Sequence, residues 1–455
     1  MIDFNTYMDN LHKNISSYAP QKTEQPELYE SLFKPKDIYR IPLDEAEKMQ
    51  LKTIKAAFIH HYNNNPFYHN FCKEHSITPE DIKTNDDLTK IPLIPDKFFK
   101  DYPEGKEYAT WIANIYTGEL PKIVIKQKKP TYDDVIDAFH EAGIYVTYSS
   151  GTGGRHTFIP RDKTTFLNAE YTLAKSLVPM IYPLWKHDSY GYLLMPNPKL
   201  NFIFAGKALE IYFDAVKNVE VAIDRKINTE LIEMTMHGKK GLKSKIVRHI
   251  ASKGAKNMID DIIDWLEVRD KANDTITLVG APYILYAVME KLKQQGRSFN
   301  FGERGGVATG GGWKIHEHKR MPVSDFRKEV KDVLGIPEKF CLDIYGMVEG
   351  NGWLTQCPEG HYLHAPYSFY KPLVLDEEFK PAEYGEWGQY AFLDGAARSY
   401  PGFIVTGDKV RLLKRCPVCD RPGPVLEPEV KRVKGADVRG CAEEVRRMLT
   451  SDLGD

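Results

Sequence analysis

YSSGTGGR, residues 148–155, is the most informative stretch of this 455-residue chain. It follows an apolar segment, residues 144–148, whose β-branched and aromatic residues predict a buried strand. Its glycines allow a tight turn with several N–H groups pointing inward, and its hydroxyls add short donors. The stretch lacks the Gly-Lys-Ser/Thr ending of a Walker A loop. It is therefore a candidate triphosphate-binding loop of another kind, and a flexible Ser/Gly loop is the alternative.

Strand and helix patterns alternate along the chain after this loop. Short apolar segments predict strands at residues 190–195, 219–223, 275–279, 306–309 and 339–345. Longer amphipathic segments predict helices at residues 164–177, 258–268, 282–294 and 324–334. Such alternation is typical of an α/β fold with layered, largely parallel sheets and helices.

The pattern divides the chain into four predicted segments. Residues 1–120 form a mostly helical region packed on the core, and residues 121–355 form the α/β core. After this core the pattern changes to short strands and turns, which predicts a smaller β-rich subdomain over residues 356–430. Residues 431–455 are expected to form a hinge-like segment and a C-terminal helix.

The charge balance and the hydrophobic pattern restrict the function classes. The chain has 62 Lys and Arg residues and 63 Asp and Glu residues, which give a net charge of -1. This balance lacks the excess of positive charge that is typical of nucleic-acid-binding proteins. The N-terminus lacks the basic and apolar regions of a signal peptide. No apolar run approaches the roughly 20 residues that cross a bilayer. We therefore expect a cytoplasmic protein with no membrane span.

Three of the six cysteines lie in a pattern that suits a metal ion. Cys416 and Cys419 form a C-x-x-C knuckle, and Cys357 precedes two histidines, His361 and His364. Three thiolates and one imidazole match tetrahedral Zn²⁺ in a closed structural site within the β-rich subdomain. The alternatives are a redox-active thiol pair and unrelated buried thiols.

Two further motifs follow the Ser/Gly loop. DIYGMVE at residues 343–349 resembles the Y-G-x-x-E motif of the adenylate-forming superfamily, and IVTGD at residues 404–408 resembles its T-G-D motif. The loop itself resembles the phosphate loop of that superfamily, which includes acyl-CoA synthetases, luciferases and phenylacetate-CoA ligases. The resemblance implies the fold of the superfamily's N-terminal domain, with ATP and Mg²⁺ as cofactors.

The resemblance also implies roles for individual residues. Tyr345 stacks on the adenine, Glu349 holds Mg²⁺ through a hard carboxylate ligand, and Asp408 accepts hydrogen bonds from the ribose. Met347 stands where the superfamily usually has Thr, so a contact to the α-phosphate is missing or supplied elsewhere. Core packing of Tyr345 and surface exposure of both carboxylates are the alternatives. The other predicted nucleotide-binding residues are Ser149, Ser150, Gly151, Thr152, Gly153, Gly154, Gly310, Gly311, Gly312, Gly346 and Arg432.

A narrower resemblance rests on three segments. Within the superfamily the chain looks like the LuxE-type acyl-protein synthetases, through IPDKFFK at residues 94–100, CPVCDRPGPV at residues 416–425 and RGCA at residues 439–442. The Cys/His set is similar to one in the more distant phenylacetate-CoA ligases, and His364 matches the histidine position of those enzymes better than His361.

Cys441 is the candidate acyl-carrying residue. The LuxE resemblance implies a cysteine near the C-terminus in this role. Cys441 lies at the predicted start of a helix and near Arg439, and both features favour the nucleophilic thiolate; a small packing residue is the alternative. Only 14 residues follow it, so the superfamily's mobile C-terminal domain, with its adenylation lysine, is expected to be absent. Arg155 is the candidate replacement for that lysine.

These features together predict an AMP-forming acid–thiol ligase. A carboxylic acid, expected to be a fatty acid, is activated with ATP to an acyl-adenylate and then transferred to a protein thiol as a thioester. One alternative is a phenylacetate-type acyl- or aryl-CoA ligase, in which CoA replaces Cys441 as the thiol. A second alternative is a nucleotide-binding module without catalysis. The expected partners are the acid and either an acyl-accepting protein, such as a reductase or a carrier, or CoA.

Overall fold

The computed structural model describes residues 2–149, 155–227, 242–313 and 320–432 of the chain. Residues 150–154 of the Ser/Gly loop and Cys441 lie outside the described residues. Within the described part, helices and a 13-stranded main sheet share one hydrophobic core.

The N-terminal region is helical because its apolar residues recur at helical spacing behind capping residues. Helix α1 (Phe4–Ile15) is capped by Asp3, whose carboxylate accepts a hydrogen bond from the Thr6 N–H at 3.1 Å. Asn65 caps the fourth helix in the same way, through the Tyr68 N–H at 2.9 Å. The other helices of this region are α2 (Pro26–Leu28), α3 (Leu43–Asn64), α4 (Pro66–Glu74), α5 (Lys106–Ile115) and α6 (Tyr132–Glu141).

The Ser/Gly loop connects two strands of a hairpin. Strand β1 (Ile94–Pro95) comes first in the chain and belongs to the main sheet. Strands β2 (Ile144–Tyr148) and β3 (Phe158–Asp162) pair antiparallel as a separate two-stranded sheet, with Tyr148 opposite Phe158 at the loop end. Helix α7 (Lys163–Leu177) follows β3 directly. The hairpin therefore fixes both ends of the loop.

Five parallel strands make up the α/β part of the main sheet. They are β4 (Tyr190–Pro196), β5 (Asn218–Ile223), β6 (Ile276–Gly280), β7 (Gly305–Gly310) and β8 (Cys341–Tyr345), in the spatial order β8-β7-β6-β4-β5. The described helices among them are α8 (Phe204–Lys207), α9 (Tyr212–Ala215), α10 (Leu242–Lys271), α11 (Pro282–Gln294) and α12 (Val323–Leu334). The carboxyl ends of β7 and β8 thus lie side by side, as parallel neighbours require.

The strands after β8 continue the same sheet in antiparallel fashion. They are β9 (Leu354–Gln356), β10 (Leu363–His364), β11 (Tyr370–Leu375), β12 (Trp387–Asp394), β13 (Phe403–Leu413), β14 (Val425–Leu426) and β15 (Lys431–Arg432). β9 pairs with β8, and β13 pairs with β12, β14, β15 and the early strand β1. Strand β13 therefore pairs both with the first strand of the chain, β1, and with the last described strand, β15.

The predicted α/β fold class is confirmed. Each predicted parallel strand begins within two residues of an observed one, and the helix predicted at residues 282–294 is observed with those bounds. Helix α10 starts earlier than predicted, since residues 242–257 are rich in Lys, Ser and Gly and carry a weak apolar pattern. The division into four segments stays a prediction. No helix among the described residues is long and apolar enough to span a bilayer.

Strand β4, next to the edge strand β5 of the main sheet, has no room for a side chain at Gly191. A Cβ atom at this position would lie 2.5 Å from the ring of Tyr212, which is fully buried under the sheet. Gly206 in α8 differs, because a Cβ atom there would lie 3.4 Å from the flexible Met195 side chain and 3.8 Å from the Pro196 carbonyl oxygen, both ordinary contact distances.

We expect Gly191→Ala to lower the free energy of unfolding by about 2–3 kcal/mol, because the Tyr212 ring must move in a close-packed core. The matched change Gly206→Ala should be neutral or stabilising by about 0.5 kcal/mol, since alanine favours a helical backbone. Chemical denaturation of both variants measures the difference. Equal effects of the two changes would contradict the packing argument.

Candidate functional site

Three predicted nucleotide-binding residues meet where β8 ends. The Tyr345 hydroxyl donates a hydrogen bond to Asp408 Oδ2 at 2.7 Å. Asp408 lies opposite Arg432 in the pairing of β13 with β15. The structure therefore brings Tyr345, Asp408 and Arg432 together from three separate parts of the sequence.

The predicted glycine wall lies beside the same strand. Gly310 ends β7 and lies opposite Ile344 of β8, and a Cβ atom at Gly310 would be 3.1 Å from the Ile344 carbonyl oxygen. Gly311 and Gly312 have φ values of 77° and 67°, a backbone conformation that favours glycine. The three glycines thus add no side chains of their own where β7 ends beside β8, the strand that carries Tyr345.

The ends of the Ser/Gly loop are held by local hydrogen bonds. The Ser149 N–H donates to the Thr157 carbonyl at 3.0 Å, and the Thr157 N–H donates to Ser149 Oγ at 2.9 Å. His156 Nδ1 lies 2.6 Å from the Ser149 carbonyl oxygen and donates to it. Ser149 is therefore fixed at the neck of the loop, whereas the predicted residues Ser150, Gly151, Thr152, Gly153 and Gly154 lie outside the described residues.

Glu349 is buried close to the neck of this loop. Burial raises the pKa of its carboxyl group, whereas the positive charge of Lys100 and a hydrogen bond with the Thr157 side chain act in the opposite direction. Asp96 adds a like charge that raises the pKa further. The surface-carboxylate alternative does not hold for Glu349, which is 4% exposed.

The motif residues between Tyr345 and Glu349 pack tightly. A Cβ atom at Gly346 would lie 2.4 Å from the Trp353 ring, so only glycine fits there. The side chain of Met347 is partly buried against the hydrophobic core, and its carbonyl accepts a hydrogen bond from the Gly350 N–H at 3.1 Å. The sulfur-containing side chain thus offers no strong donor for a phosphate.

Arg155 binds the segment that follows β1. Its Nη2 donates to the Tyr102 carbonyl at 2.9 Å, its guanidinium lies 4.3 Å from the Tyr102 ring centre, and its Nη1 lies 3.6 Å from Asp101 Oδ1. Lys100 precedes these two residues and pairs with Asp96 at 2.5 Å. Arg155 therefore connects the Ser/Gly loop to the segment that places Lys100 near Glu349.

Lys100 was not predicted as a site residue. It lies in the IPDKFFK segment, residues 94–100, which the sequence singled out only for its resemblance. The segment packs on β3, which follows the Ser/Gly loop, and on β13, which carries Asp408. The available signal for Lys100 was its position as the last residue of this segment, which is similar to one in the LuxE-type family.

Arg161 was also missed, although a charged residue inside the apolar strand FIPRD is unusual. It is fully buried, and its Nη2 donates to the carbonyl oxygens of Val348 at 2.6 Å and Gly350 at 3.1 Å. On the other side of the same backbone, Asp394 accepts hydrogen bonds from the N–H groups of Asn351 and Gly352. Two buried charges thus hold the segment around Glu349.

A second cluster brings together the predicted metal ligands. The ligand atoms of Cys357, His364, Cys416 and Cys419 all lie within 4.8 Å of one another. Cys419 Sγ lies 3.4 Å from His364 Nε2, and hydrogen bonding from Cys357 and His364 holds the pKa of Cys419 well below its ordinary value. His361 lies outside this group, and its Nε2 is 3.0 Å from the Glu338 carbonyl oxygen.

Asp343 lies in β8 two residues before Tyr345. Its Oδ1 accepts a hydrogen bond from the Thr309 hydroxyl at 3.0 Å, and its N–H donates to Gln356 Oε1 at 2.9 Å. Removal of water from around the carboxyl group is the main cause that raises the pKa of Asp343 to about 6.

The chain is similar in sequence to a family of acyl-protein synthetases and to two curated ligases. The family model described as LuxE, acyl-protein synthetase, matches residues 234–450. A long-chain-fatty-acid–luciferin-component ligase of Vibrio harveyi is 25% identical over 418 residues, which cover 90% of each chain. The protein of the same description from Aliivibrio fischeri is 24% identical over 418 residues, covering 90% of this chain and 92% of that protein.

Solved structures show the fold. An open conformation of 2-hydroxyisobutyryl-CoA ligase, in complex with 2-HIB-AMP and CoA, matches with a TM-score of 0.58 and 12% identity, over 87% of this chain and 72% of that one. The same ligase in its thioesterification state matches with a TM-score of 0.58, 13% identity and coverages of 87% and 70%. The predicted adenylate-forming fold, the resemblance to LuxE-type acyl-protein synthetases and the ligase class are confirmed.

We expect Asp343→Asn to gain stability relative to the unchanged chain as pH rises. The pKa of Asp343 is about 6 in the folded chain and 3.8 for an unperturbed aspartate, so the unchanged chain loses stability as pH rises from about 4 through 6 and this buried carboxyl must ionise. The gain should reach on the order of 2 kcal/mol at pH 7. Denaturation at several pH values measures it, with the exposed Asp332→Asn as control. A difference that does not depend on pH would contradict the assigned shift.

Proposed function

We propose that this chain, a relative of the LuxE acyl-protein synthetases, activates a fatty acid with ATP and passes the acyl group to a thiol. The observation that carries the proposal is the meeting of the loop neck at Ser149, the buried carboxylate of Glu349 and the Tyr345–Asp408 pair in one region. The curated relatives are named as ligases of long-chain fatty acids, which supports the choice of acid.

The nucleotide would lie along the carboxyl ends of β7 and β8. Tyr345 would cover the adenine, and Gly310, Gly311 and Gly312 leave room beside the ring for a flat base. Asp408 would accept hydrogen bonds from the ribose hydroxyls, because the two oxygens of a carboxylate can accept several hydrogen bonds. Arg432, opposite Asp408 in the sheet, would complete this end of the site.

The phosphates would lie between the Ser/Gly loop and Glu349. Backbone N–H groups around Thr152 and the hydroxyls of Ser149 and Ser150 would donate to phosphate oxygens. Glu349 fits a Mg²⁺ ion, since it is a buried oxygen ligand whose charge needs a cationic partner. A bound Mg²⁺ would neutralise charge on the phosphate oxygens. Lys100 adds fixed positive charge on this side.

The first step is attack of a fatty-acid carboxylate oxygen on the α-phosphorus of ATP. The new oxygen–phosphorus bond forms as the bond to the bridging oxygen breaks, and pyrophosphate leaves with the electron pair. Both reactants are anions, so the residues act mainly by positioning them in line and by supplying fixed donors. Met347 offers no such donor, and the α-phosphate contact would fall to the loop backbone or Lys100.

The second step is attack of a thiolate on the carbonyl carbon of the acyl-adenylate. The carbon–sulfur bond forms, the carbon–oxygen bond to AMP breaks, and AMP leaves. We propose Cys441 as this thiol, which would then pass the acyl group to a thiol of an acceptor protein by thioester exchange. The position of Cys441 lies outside the described residues, so this assignment rests on sequence.

We expect the chain, given ATP, Mg²⁺ and a long-chain fatty acid, to release pyrophosphate and gain the mass of one acyl group by intact mass spectrometry. Cys441→Ser should keep the formation of acyl-adenylate but lose the hydroxylamine-sensitive acyl mass, because the hydroxyl is a much weaker nucleophile than the thiolate. Cys72→Ser, a change at another cysteine, is the control and should keep the acyl mass.

Two other outcomes would separate the alternatives. Formation of acyl-CoA with added CoA, at an unchanged rate in Cys441→Ser, would favour a phenylacetate-type CoA ligase. Binding of ATP without acid-dependent pyrophosphate release would favour a nucleotide-binding module and overturn the proposed activation step.

We further propose that Cys357, His364, Cys416 and Cys419 hold a structural Zn²⁺ ion. Three thiols and one imidazole lie within 4.8 Å of one another, and four such ligands would fill the tetrahedral positions of Zn²⁺ without leaving one for water. The Cys419 N–H also points to Cys416 Sγ at 3.5 Å, an arrangement that stabilises a thiolate. The ion would link β10 to the segment that follows β13.

We expect the purified chain to contain one zinc per molecule by elemental analysis. Cys419→Ser should lose the metal and lower the free energy of unfolding by on the order of 4 kcal/mol, because loss of a structural metal is a large perturbation. The matched change His361→Asn should keep the zinc, since His361 bonds to a backbone carbonyl instead. Loss of zinc in His361→Asn but not in His364→Asn would show that the ligands are assigned wrongly.

A further inference from the structure

Arg161 is a fully buried cation at the junction of two parts of the nucleotide site. It lies on β3, the strand that leaves the Ser/Gly loop, and its backbone pairs with Tyr145 of β2. Long cationic side chains are rarely buried without a specific partner. The reason for its burial therefore has to lie in what its guanidinium binds.

The guanidinium distributes its donors over both parts of the site. Nη1 donates to Thr147 Oγ1 at 2.6 Å, on the strand that enters the loop. Nη2 donates to the carbonyls of Val348 and Gly350, the residues on either side of Glu349. Nε donates to Asn351 Oδ1 at 2.9 Å. One planar group thus connects the loop hairpin to the backbone that carries Glu349.

Aromatic rings close the remaining sides of the guanidinium. Its central carbon lies 4.1 Å from the centre of the Phe204 ring and 5.0 Å from that of Tyr400, whose hydroxyl accepts a hydrogen bond from Nη2 at 2.9 Å. These contacts hold the planar group in a single orientation. A change of position of Arg161 would therefore move the Val348–Gly350 backbone with it.

No carboxylate among the described residues forms an ion pair with Arg161. Its nearest negative charges are Asp394, whose oxygens already accept backbone N–H groups, and Glu349. Carbonyl dipoles therefore supply most of its hydrogen bonds. Arginine keeps its charge under such conditions, and its five donors lie in a fixed fork.

We propose that Arg161 is a positioning residue that sets the distance between the Ser/Gly loop and the Glu349 carboxylate, and thereby the affinity of the site for a Mg²⁺-bound triphosphate. The inference rests on the proposed function, because it takes Glu349 as the ligand of that cation. Replacing a residue that orients a metal ligand without touching the metal commonly changes the metal affinity by about 10- to 100-fold.

A lysine at position 161 would keep the positive charge but would lack the planar guanidinium group with its five fixed donors. Its single ammonium group has three donors at one point, so it cannot bind Thr147, Asn351 and both carbonyls at once. Arg161→Lys therefore separates the geometry from the charge. Thr147→Val is a milder change that removes one acceptor from Nη1 and leaves the rest of the fork in place.

The test measures binding of a fluorescent ATP analogue as a function of Mg²⁺ concentration, together with thermal unfolding and zinc content. For Arg161→Lys we expect the half-saturating Mg²⁺ concentration to rise about tenfold and the rate of acid-dependent pyrophosphate release to fall about a hundredfold. For Thr147→Val we expect a smaller rise in the same direction, on the order of threefold. The zinc content should stay unchanged in both variants.

Arg327→Lys is the matched control. Arg327 is another buried arginine, and its Nη1 lies 3.5 Å from Gln356 Oε1, away from the loop hairpin. We expect it to lower the melting temperature without a change in the Mg²⁺ dependence. A purely structural role for Arg161 would give Arg161→Lys the same pattern as Arg327→Lys, and that result would overturn the proposal. If Arg161→Lys does not fold, an unchanged Mg²⁺ dependence in Thr147→Val overturns it.

The unchanged chain separates this proposal from the proposed function. If it binds the analogue in a Mg²⁺-dependent way but releases no pyrophosphate with any fatty acid, the proposed function fails while the binding measurements still decide the role of Arg161. If binding of the analogue does not depend on Mg²⁺ at all, both proposals fail.

Discussion

The backbone between β8 and β9 is buried without regular hydrogen bonding, and the candidate site depends on how its polar groups are satisfied. Residues 348–353 are all buried, so their N–H and C=O groups need partners inside the protein. Arg161 donates to two of the carbonyls, and Asp394 accepts from two of the N–H groups. A cation and an anion from different strands thus satisfy backbone groups that no strand pairing satisfies, and Glu349 lies between the two residues whose carbonyls Arg161 binds.

This arrangement explains which parts of the site could be predicted from sequence. Tyr345, Glu349 and Asp408 stand in short motifs that resemble those of the adenylate-forming superfamily, so the order of these motifs along the sequence was enough to single them out. Arg161 carries no such signal, because one charged residue in a strand does not reveal that its partners lie nearly two hundred positions away. Lys100 was hidden for a related reason, since it approaches Glu349 only when β1 pairs with β13.

The metal-ligand cluster shows the same limit on a smaller scale. Spacing favours one thiol pair and one further cysteine but leaves His361 and His364 as equal chemical candidates. The pairing of β10 with β14 brings His364 beside the knuckle that contains Cys419. His361 instead has a φ of 59°, in the tight turn before β10, and binds a backbone carbonyl. The strand order of the sheet could not be predicted from the local sequence pattern either, because tertiary contacts determine which strands pair.

The continuity of strand β13 limits where this protein can be divided into fragments or given new termini. It is one uninterrupted strand, with Asp408 near its middle and Cys416 three residues after its end, and it pairs with four other strands. Fragment complementation with a break in this strand after Asp408 would leave the Asp408 carboxylate and the thiols of Cys416 and Cys419 on different polypeptides. New termini or an inserted reporter domain would be tolerated better in the turn at residues 376–380, between β11 and β12, where all five residues are exposed to water.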